Sequence, residues 1–433
     1  MRIVLLSGGS GKRLWPLSNE VRSKQFLKLF KNKDNYESMV QRVYRQIESN
    51  LDAPVLIATS KSQVSSIKNQ LGDKVSVCIE PTRRDTFPAI ALACSFLKYE
   101  QNVGDDEYVC VCPVDPYVDD SYFKTIGKLE TYAKKNNANL VLMGINPSYP
   151  SDKYGYIIPK SQEEVSDVLE FKEKPTEEVA KTYIKQNAVW NAGVFCFKLK
   201  YLIDKSHELI KYKDYTDLFS KYGELTKISF DYAVVEKEKS IQVVRYSGSW
   251  KDVGSWDMMT NVMSDKNKGL VYTDDKCKDT NIINELEIPI VGIGLNNIIV
   301  VGSEDGILVS ERNSLHNLKS IVDKFDSEVR IAEKSWGTYQ VIDVGSSSIT
   351  IKAFLKKGKS MSYHHHQNRE ETWNIISGKG EITVDGIKKD VIAGDVIQIN
   401  RGCNHSIKAI TDLEIIEVQV GKIDKLDKYK TEK

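Results

Sequence analysis

The stretch Ile3-Val4-Leu5-Leu6-Ser7-Gly8-Gly9-Ser10-Gly11-Lys12-Arg13-Leu14-Trp15-Pro16-Leu17 decides how this chain reads. Its first four residues form an apolar run that predicts a buried strand. The glycines that follow let the backbone turn tightly and bring bare N–H groups against a phosphate chain. Lys12 and Arg13 add positive charge where a triphosphate would lie. Strand, glycine loop and basic pair describe a nucleotide-phosphate cradle, with Leu6, Gly8, Gly9, Ser10, Gly11, Lys12 and Arg13 as its candidate residues. The loop has neither the Gly-Lys-Ser/Thr end of a Walker motif nor a G-x-G-x-x-G dinucleotide pattern.

Outward from this loop, β-rich runs alternate with helical patterns. Strands are expected at 2–6, 54–58, 76–80, 107–112 and 139–145, and helices at 36–49, 61–71, 87–101 and 121–135. That alternation predicts a Rossmann-like α/β domain with a mostly parallel sheet, its ligand outside the carboxyl ends of the strands. The pattern changes near 265–275. Short apolar runs at 282–283, 288–293 and 298–301 read as β-rungs of a small connecting module, with a helix at 314–326. From 336 onward short strands dominate, at 339–344, 348–355, 372–377, 380–384, 396–399 and 413–420, which predicts a β-barrel or jelly roll. The expected division is 1–265, 266–330 and 331–433.

A length of 433 residues fits two or three domains. A net charge of +1 argues against a broad nucleic-acid surface, and no run is long and apolar enough for a membrane span. Neither nucleic acid nor a membrane is therefore expected as a partner. The seven cysteines are dispersed and mostly set in apolar runs, which fits reduced thiols in the cytoplasm. Cys110 and Cys112 read as strand packing rather than as metal ligands. With no leader pattern ahead of the first strand, a cytoplasmic location is expected. The segment 271–310 is a candidate interface for a homo-oligomer.

Further segments follow in order: Ser23-Lys24-Gln25-Phe26, Glu80-Pro81-Thr82-Arg83-Arg84-Asp85-Thr86-Phe87-Pro88, Pro113-Val114-Asp115, Tyr154-Gly155-Tyr156, Phe171-Lys172-Glu173-Lys174-Pro175, Trp190-Asn191-Ala192-Gly193 and Lys251-Asp252-Val253-Gly254. With the glycine loop, this ordered set resembles the sugar-nucleotide pyrophosphorylases, and most closely the bacterial mannose-1-phosphate guanylyltransferases. The resemblance implies attack of a sugar 1-phosphate oxygen on the α-phosphorus of a nucleoside triphosphate. Such a nucleophile is already anionic, so the enzyme has to position it and neutralise charge. Asp115 and Asp252 are the carboxylates implied to hold Mg²⁺. Arg13, Lys24, Lys174, Asp115 and Asp252 are the catalytic candidates. Glu80, Arg84 and Thr86 are implied for the nucleotide, and Gly155, Glu173, Lys174, Asn191 and Gly193 for the sugar phosphate. The implied substrates are GTP and mannose 1-phosphate. Arg83, Asp85 and Phe87 replace residues usual in the family, which leaves another NTP or a related sugar 1-phosphate open. A non-catalytic sugar-nucleotide-binding paralogue is the rival from another class. Trp190 and Trp256 are expected to pack, and Lys172, Glu236 and Lys237 to be solvated.

Gly358, five residues, His364, one, His366, four, Glu371, six, Gly378 has the spacing of a first cupin motif. Gly394, five, Asn400-Arg401-Gly402, two, His405 has that of the second. Three imidazoles and a carboxylate, from His364, His366, Glu371 and His405, suit a divalent Zn, Fe, Mn or Ni ion. Arg369, Glu371, Trp373 and Ile416-Glu417-Val418-Gln419 resemble the type II phosphomannose isomerase domain fused to many such guanylyltransferases. That resemblance implies a mannose-6-phosphate isomerase activity. Ser406 stands where the family has an Arg, which removes an expected phosphate anchor.

Overall fold

The computed structural model describes residues 1–9, 12–19, 21–136, 138–325, 329–422 and 427–430. Two compact units emerge. The first comprises Met1–Ser10, Gln25–Gly254 and Met258–Ser264; the second comprises Gly11–Lys24, Ser255–Asp257 and Asp265–Lys433.

A nine-stranded sheet organises the first unit. Its strands are β1 (Arg2–Ser7), β2 (Val55–Ser60), β3 (Ser76–Glu80), β4 (Tyr108–Pro113), β5 (Leu140–Ile145), β6 (Tyr156–Pro159), β7 (Val165–Lys172), β8 (Val189–Lys198) and β9 (Ile241–Tyr246). They lie in the order β3-β2-β1-β4-β8-β5-β9-β7-β6. β1 is parallel to β2 and β4, β2 to β3, and β5 to β9. The all-buried apolar side chains of β5 are what a strand covered on both faces requires. β7 and β8 depart from this: β7 runs antiparallel to β9 and β6, and β8 antiparallel between β4 and β5. The first residues of β8 therefore reach the edge where its neighbours end.

The helices follow local chemistry. Ser38 accepts from Gln41 N, and Gln41 reciprocates through its side chain, opening the helix Met39–Asn50. Asp85 starts the helix Thr86–Ser95, whose Phe87–Ser95 stretch is buried throughout. The single helix expected at 87–101 is an α-helix to Ser95 followed by a π-turn, Phe96–Glu100. The helix expected at 314–326 is a 3-10 turn, Arg312–Asn317, and a short α-helix, Leu318–Val322; residue 326 lies outside the described residues.

In the second unit, Asn267–Lys268, Asn281–Asn284 and Ile298–Ser303 stack as parallel rungs, and Gly306–Glu311 closes that sheet antiparallel. Residues from the segment after the glycine loop are fastened to this module. Arg22 makes a two-pronged ion pair with Glu285, Nη1 to Oε2 at 2.6 Å and Nη2 to Oε1 at 3.0 Å. Asn19 Nδ2 donates to Asp305 Oδ2 (2.7 Å), and Ser303 Oγ to Pro16 O (3.0 Å). Trp256, fully buried as expected, donates Nε1 to Trp15 O at 2.8 Å.

The C-terminal part of this unit is a cupin-like pair of sheets. One has six strands: Ile331–Lys334, Gly337–Val344, Ser348–Leu355, Leu413–Gly421, Arg369–Ser377 and Val396–Ile399. The other has five: Ile387–Ile392, Lys379–Val384, His405–Ala409, His364–His365 and Tyr429–Lys430. Leu355, Trp373, Ile375 and Ile415 from the first meet Ile382, Val391, Ile407 and Ala409 from the second in one core. Along Arg369–Ser377 the inward set is Arg369, Glu371, Trp373 and Ile375, a two-residue period that sends a charged pair into the barrel.

Candidate functional site

At the carboxyl edge of the first sheet, β1 runs into Gly8 and Gly9. Gly9 has φ +119°, a conformation that glycine tolerates and other residues rarely adopt. Side chains hold the carbonyls of this loop from behind. Gln63 Nε2 donates to Gly9 O (3.3 Å), Arg83 Nη2 to the same oxygen (3.2 Å), and Gln25 Nε2 to Gly8 O (3.5 Å). Gln25, Gln63, Thr59 and Ser7 form a fully buried polar network beneath it. These side chains fix the path of the backbone at Gly8 and Gly9. Arg83, flagged in the sequence as unusual, is thus a brace for the loop. Ser10, Gly11 and the side chain of Lys12 lie outside the described residues. Arg13 and Lys24 group with the second unit; Arg13 is exposed on the turn Lys12–Leu14, and Lys24 is half-buried at the start of the turn Lys24–Phe26.

Val114 N donates to Leu6 O (3.3 Å), tying the end of β1 to the residue before Asp115. The strand Trp250–Asp252 pairs antiparallel with Pro116–Val118 and sets Asp252 opposite Pro116. Two carboxylates distant in sequence, Asp115 and Asp252, therefore share one cleft. Its volume is about 230 Å³, and its walls include Asp115, Gly155, Glu173, Asn191, Gly193 and Asp252. Six residues singled out from separate motifs converge there.

The wall that carries Gly155, Glu173 and Asn191 is tightly built. Asn191 lies near the start of β8; its Nδ2 donates to Asp231 (2.7 Å) while Oδ1 accepts from Gly193 N (3.1 Å). The side-chain amide is oriented from both ends. Glu173, 6% exposed, pairs with Lys174 Nζ at 2.8 Å. Burial alone would lower the Lys174 pKa, but the hydrogen bond and charge of Glu173 outweigh it and raise it. Gly155 is where a side chain does not fit: an added Cβ would lie 2.5 Å from Glu173 Oε2 and 3.0 Å from Phe171 Cζ.

Asp231, in the short helix Phe230–Ala233, is a wall residue that the sequence reading missed. Burial, then the charge of Glu173, pushes its pKa up to about 7. Tyr154, Trp190 and Trp250 form an aromatic cluster along the same wall, with Tyr154–Trp190 centroids 4.7 Å apart. Glu236, expected to be solvated, instead accepts from Glu173 N (3.1 Å) and pairs with Lys172. The nucleotide candidates Glu80, Arg84 and Thr86 lie elsewhere on the strand edge. Glu80 ends β3 and accepts from Tyr222 OH (3.1 Å); Thr86 Oγ1 accepts from Phe230 N (2.8 Å); Arg84 Nε is buried without a hydrogen-bond partner. Cys110 and Cys112 are core residues, and burial pushes the Cys112 thiol up to about 12.

The barrel of the second unit holds a trio of buried imidazoles. Ligand atoms of His364, His366 and His405 lie within 4.8 Å of one another. Each Nδ1 faces a backbone carbonyl: His364 on Ser362 (2.7 Å), His405 on Cys403 (3.0 Å) and His366 on Asp427. A carbonyl only accepts, so each Nδ1 carries the hydrogen and each Nε2 is turned inward. His405 Nε2 is buried without a hydrogen-bond partner. Burial, helped by Lys428 and His405, pulls His364 down to about 3, so its ring is neutral near pH 7. Three inward imidazole nitrogens gathered this closely fit a divalent cation. Glu371 lies beside the trio, 2.9 Å from His366 Nε2 and 3.3 Å from His405 Nε2. Trp373 Nε1 and Gln419 Nε2 also donate to it. Burial and then the charge of Glu371 push Glu417 up to about 8.

Residues 2–269 match the family described as Nucleotidyl transferase, and residues 323–430 match Mannose-6-phosphate isomerase C-terminal. Xanthan biosynthesis protein XanB of Xanthomonas campestris pv. campestris (strain B100) is 31% identical, across 96% of this chain and 95% of its own length. Mannose-1-phosphate guanylyltransferase of Salmonella montevideo is 30% identical, across 96% of this chain and 95% of its own. A crystal structure described as mannose-1-phosphate geranyltransferase from Thermus thermophilus superposes with a TM-score of 0.61 at 27% identity, covering 75% of this chain and 98% of that one. Among the described residues, no helix is long and apolar enough to cross a membrane.

Proposed function

This chain belongs to the nucleotidyl transferase family, among the mannose-1-phosphate guanylyltransferases, and on that premise we propose that it makes GDP-mannose and pyrophosphate from GTP and mannose 1-phosphate. The observation that carries the reading is the convergence of Asp115, Gly155, Glu173, Asn191, Gly193 and Asp252 on one cleft.

The phosphate oxygen of the sugar forms a bond to the α-phosphorus as the bond to the β-phosphate oxygen breaks, and pyrophosphate leaves with that electron pair. No base is required, because the nucleophile is already ionised. The N–H groups of Gly8 to Gly11, with Lys12 and Arg13, bind the triphosphate, and Lys24 takes part of its charge. Lys174, held in place by Glu173, binds the phosphate of the sugar. Glu173, Asn191 and the backbone at Gly155 and Gly193 meet its hydroxyls. Asp115 and Asp252 present hard oxygen donors that would hold Mg²⁺, which supplies charge neutralisation on the phosphates when bound. Glu80, Arg84 and Thr86 would read the base.

Pyrophosphate release measured across the four NTPs, with mannose 1-phosphate and other hexose 1-phosphates, tests this. Turnover confined to GTP and mannose 1-phosphate is expected. Another preferred pair would replace the substrates, and binding without turnover under any pair would overturn the reading.

The imidazole trio favours a second activity in the barrel, interconversion of mannose 6-phosphate and fructose 6-phosphate. His364, His366 and His405, with Glu371 beside them, would hold a Zn, Fe, Mn or Ni ion that polarises the sugar carbonyl when bound. Glu417, whose pKa is pushed up to about 8, would carry a proton between C1 and C2. Coupled assay of fructose 6-phosphate formation tests it; no product with the metal-loaded chain would overturn it. The functional division proposed is 1–265 for nucleotidyl transfer, 266–330 as connecting module and 331–433 as the cupin. Seven free cysteines support a cytoplasmic setting.

A further inference from the structure

We propose that Asp427 is a positioning residue for the imidazole trio, so that the C-terminal segment completes a metal site to which it contributes no ligand. The proposal rests on the reading of His364, His366 and His405 as ligands of a divalent cation.

The three imidazoles are not oriented alike. His364 and His405 lean on carbonyls two residues earlier in the chain, those of Ser362 and Cys403. These contacts are local. His366 has no such local support; its Nδ1 hydrogen goes to the carbonyl of Asp427, sixty-one residues on. One ligand in three is therefore aimed by a contact that only the folded C-terminal segment provides.

Asp427 is itself held firmly. It is 2% exposed. Its Oδ1 accepts from Gln367 N (2.9 Å) and its Oδ2 from Asn368 N (3.0 Å), the two residues directly after His366. Carbonyl and carboxylate of one residue thus grip His366 and the backbone leaving it. The next residues continue the contact: Tyr429 pairs with His365 and Lys430 with His364 in an antiparallel ladder. The rings of His365 and Tyr429 stack 5.3 Å apart at 19°. A ligating imidazole whose second nitrogen loses its acceptor can rotate about its last side-chain bond and present the wrong nitrogen. Removing such outer partners weakens metal sites by about 10- to 100-fold.

The arrangement predicts a graded response. Asp427→Ala removes both acceptors from Gln367 N and Asn368 N and frees the segment that carries the carbonyl. Asp427→Asn keeps one acceptor oxygen and should fall between. The full-length chain is stripped of metal and titrated with Co²⁺, whose absorption bands report the number and kind of ligands independently of catalysis. His405→Ala marks loss of a direct ligand. Metal-free thermal unfolding checks that each variant folds; if Asp427→Ala does not, Asp427→Asn decides alone. The expected result is a Co²⁺ dissociation constant raised about 10- to 100-fold in Asp427→Ala, less in Asp427→Asn, with the bands shifted. Equal affinity and unchanged bands in wild type and Asp427 variants would overturn this proposal and leave the metal reading standing. Wild type that binds Co²⁺ no better than His405→Ala would overturn both.

Discussion

Replacing Gly155 by alanine tests the sugar wall at its tightest point. The new Cβ would lie 2.5 Å from Glu173 Oε2, 3.0 Å from Phe171 Cζ and 3.4 Å from Asn191 Cβ. Ordinary contact requires the carboxylate to retreat by roughly 1 Å. Glu173 is almost fully buried and paired with Lys174, so it cannot swing freely into solvent. A displacement of that size forfeits a hydrogen bond between a sugar hydroxyl and a charged carboxylate, about 1.5–3 kcal/mol. At 1.36 kcal/mol per decade this becomes a loss of roughly 10- to 150-fold in kcat/KM for the sugar phosphate. The assay is pyrophosphate release with each substrate varied while the other saturates. The loss should fall on the sugar phosphate, with the KM for the nucleotide within about twofold of wild type. Adding Glu173→Ala to Gly155→Ala should cost little beyond Glu173→Ala alone, because both changes remove the same contact. Equal losses on both substrates, or none on either, would refute the placement of Glu173 on the sugar.

Asp115→Asn and Asp252→Asn should each lower kcat by at least about a hundredfold and shift the Mg²⁺ requirement upward; a variant with near-normal turnover and unchanged Mg²⁺ dependence removes that residue from the site. Asp231 carries a pH signature, since its pKa is raised from 3.8 to about 7. The native chain keeps that proton to higher pH than the unfolded chain, so this contribution is fully present below about 4 and lost as pH rises to about 7. Urea unfolding followed between those limits should show a shallower pH slope for Asp231→Asn, and identical slopes would sink the assignment. Under native conditions a thiol reagent should label at most Cys277 and Cys403 quickly, with Cys78, Cys94, Cys110, Cys112 and Cys196 reacting only on denaturation; rapid labelling of more than two contradicts the packing.

The parts of the site that could be read from sequence are those made by short, contiguous stretches. The glycine loop declares itself because a strand must end and turn there, and Glu173-Lys174-Pro175 because a charged turn interrupts an alternating strand. Asp231 was not legible: as the second residue of a four-residue helix it looks like any acidic residue near a helix start. Its role comes from Asn191, forty residues away. Glu236 looked like surface charge because nothing local shows that it caps Glu173 N. The hold of the β-rung module on Asn19 and Arg22 escaped for the same reason, being made across separations of 286 and 263 residues. No strand was expected at 189–198, and composition carries no direction, so neither this strand nor its reversal in the sheet was legible.

That reversal has an evolutionary cost. In most open α/β sheets, binding residues sit on loops, which can change without touching the core. Here Asn191 lies within β8 and pairs with Gly144 of β5, and Gly193 lies in the irregular stretch before β8 takes up β4 at Phe195. A lineage adopting a different sugar by altering these positions must also keep the middle of its sheet intact. If Asn191 meets the sugar as proposed, changes of sugar should arrive together with compensating substitutions in β5.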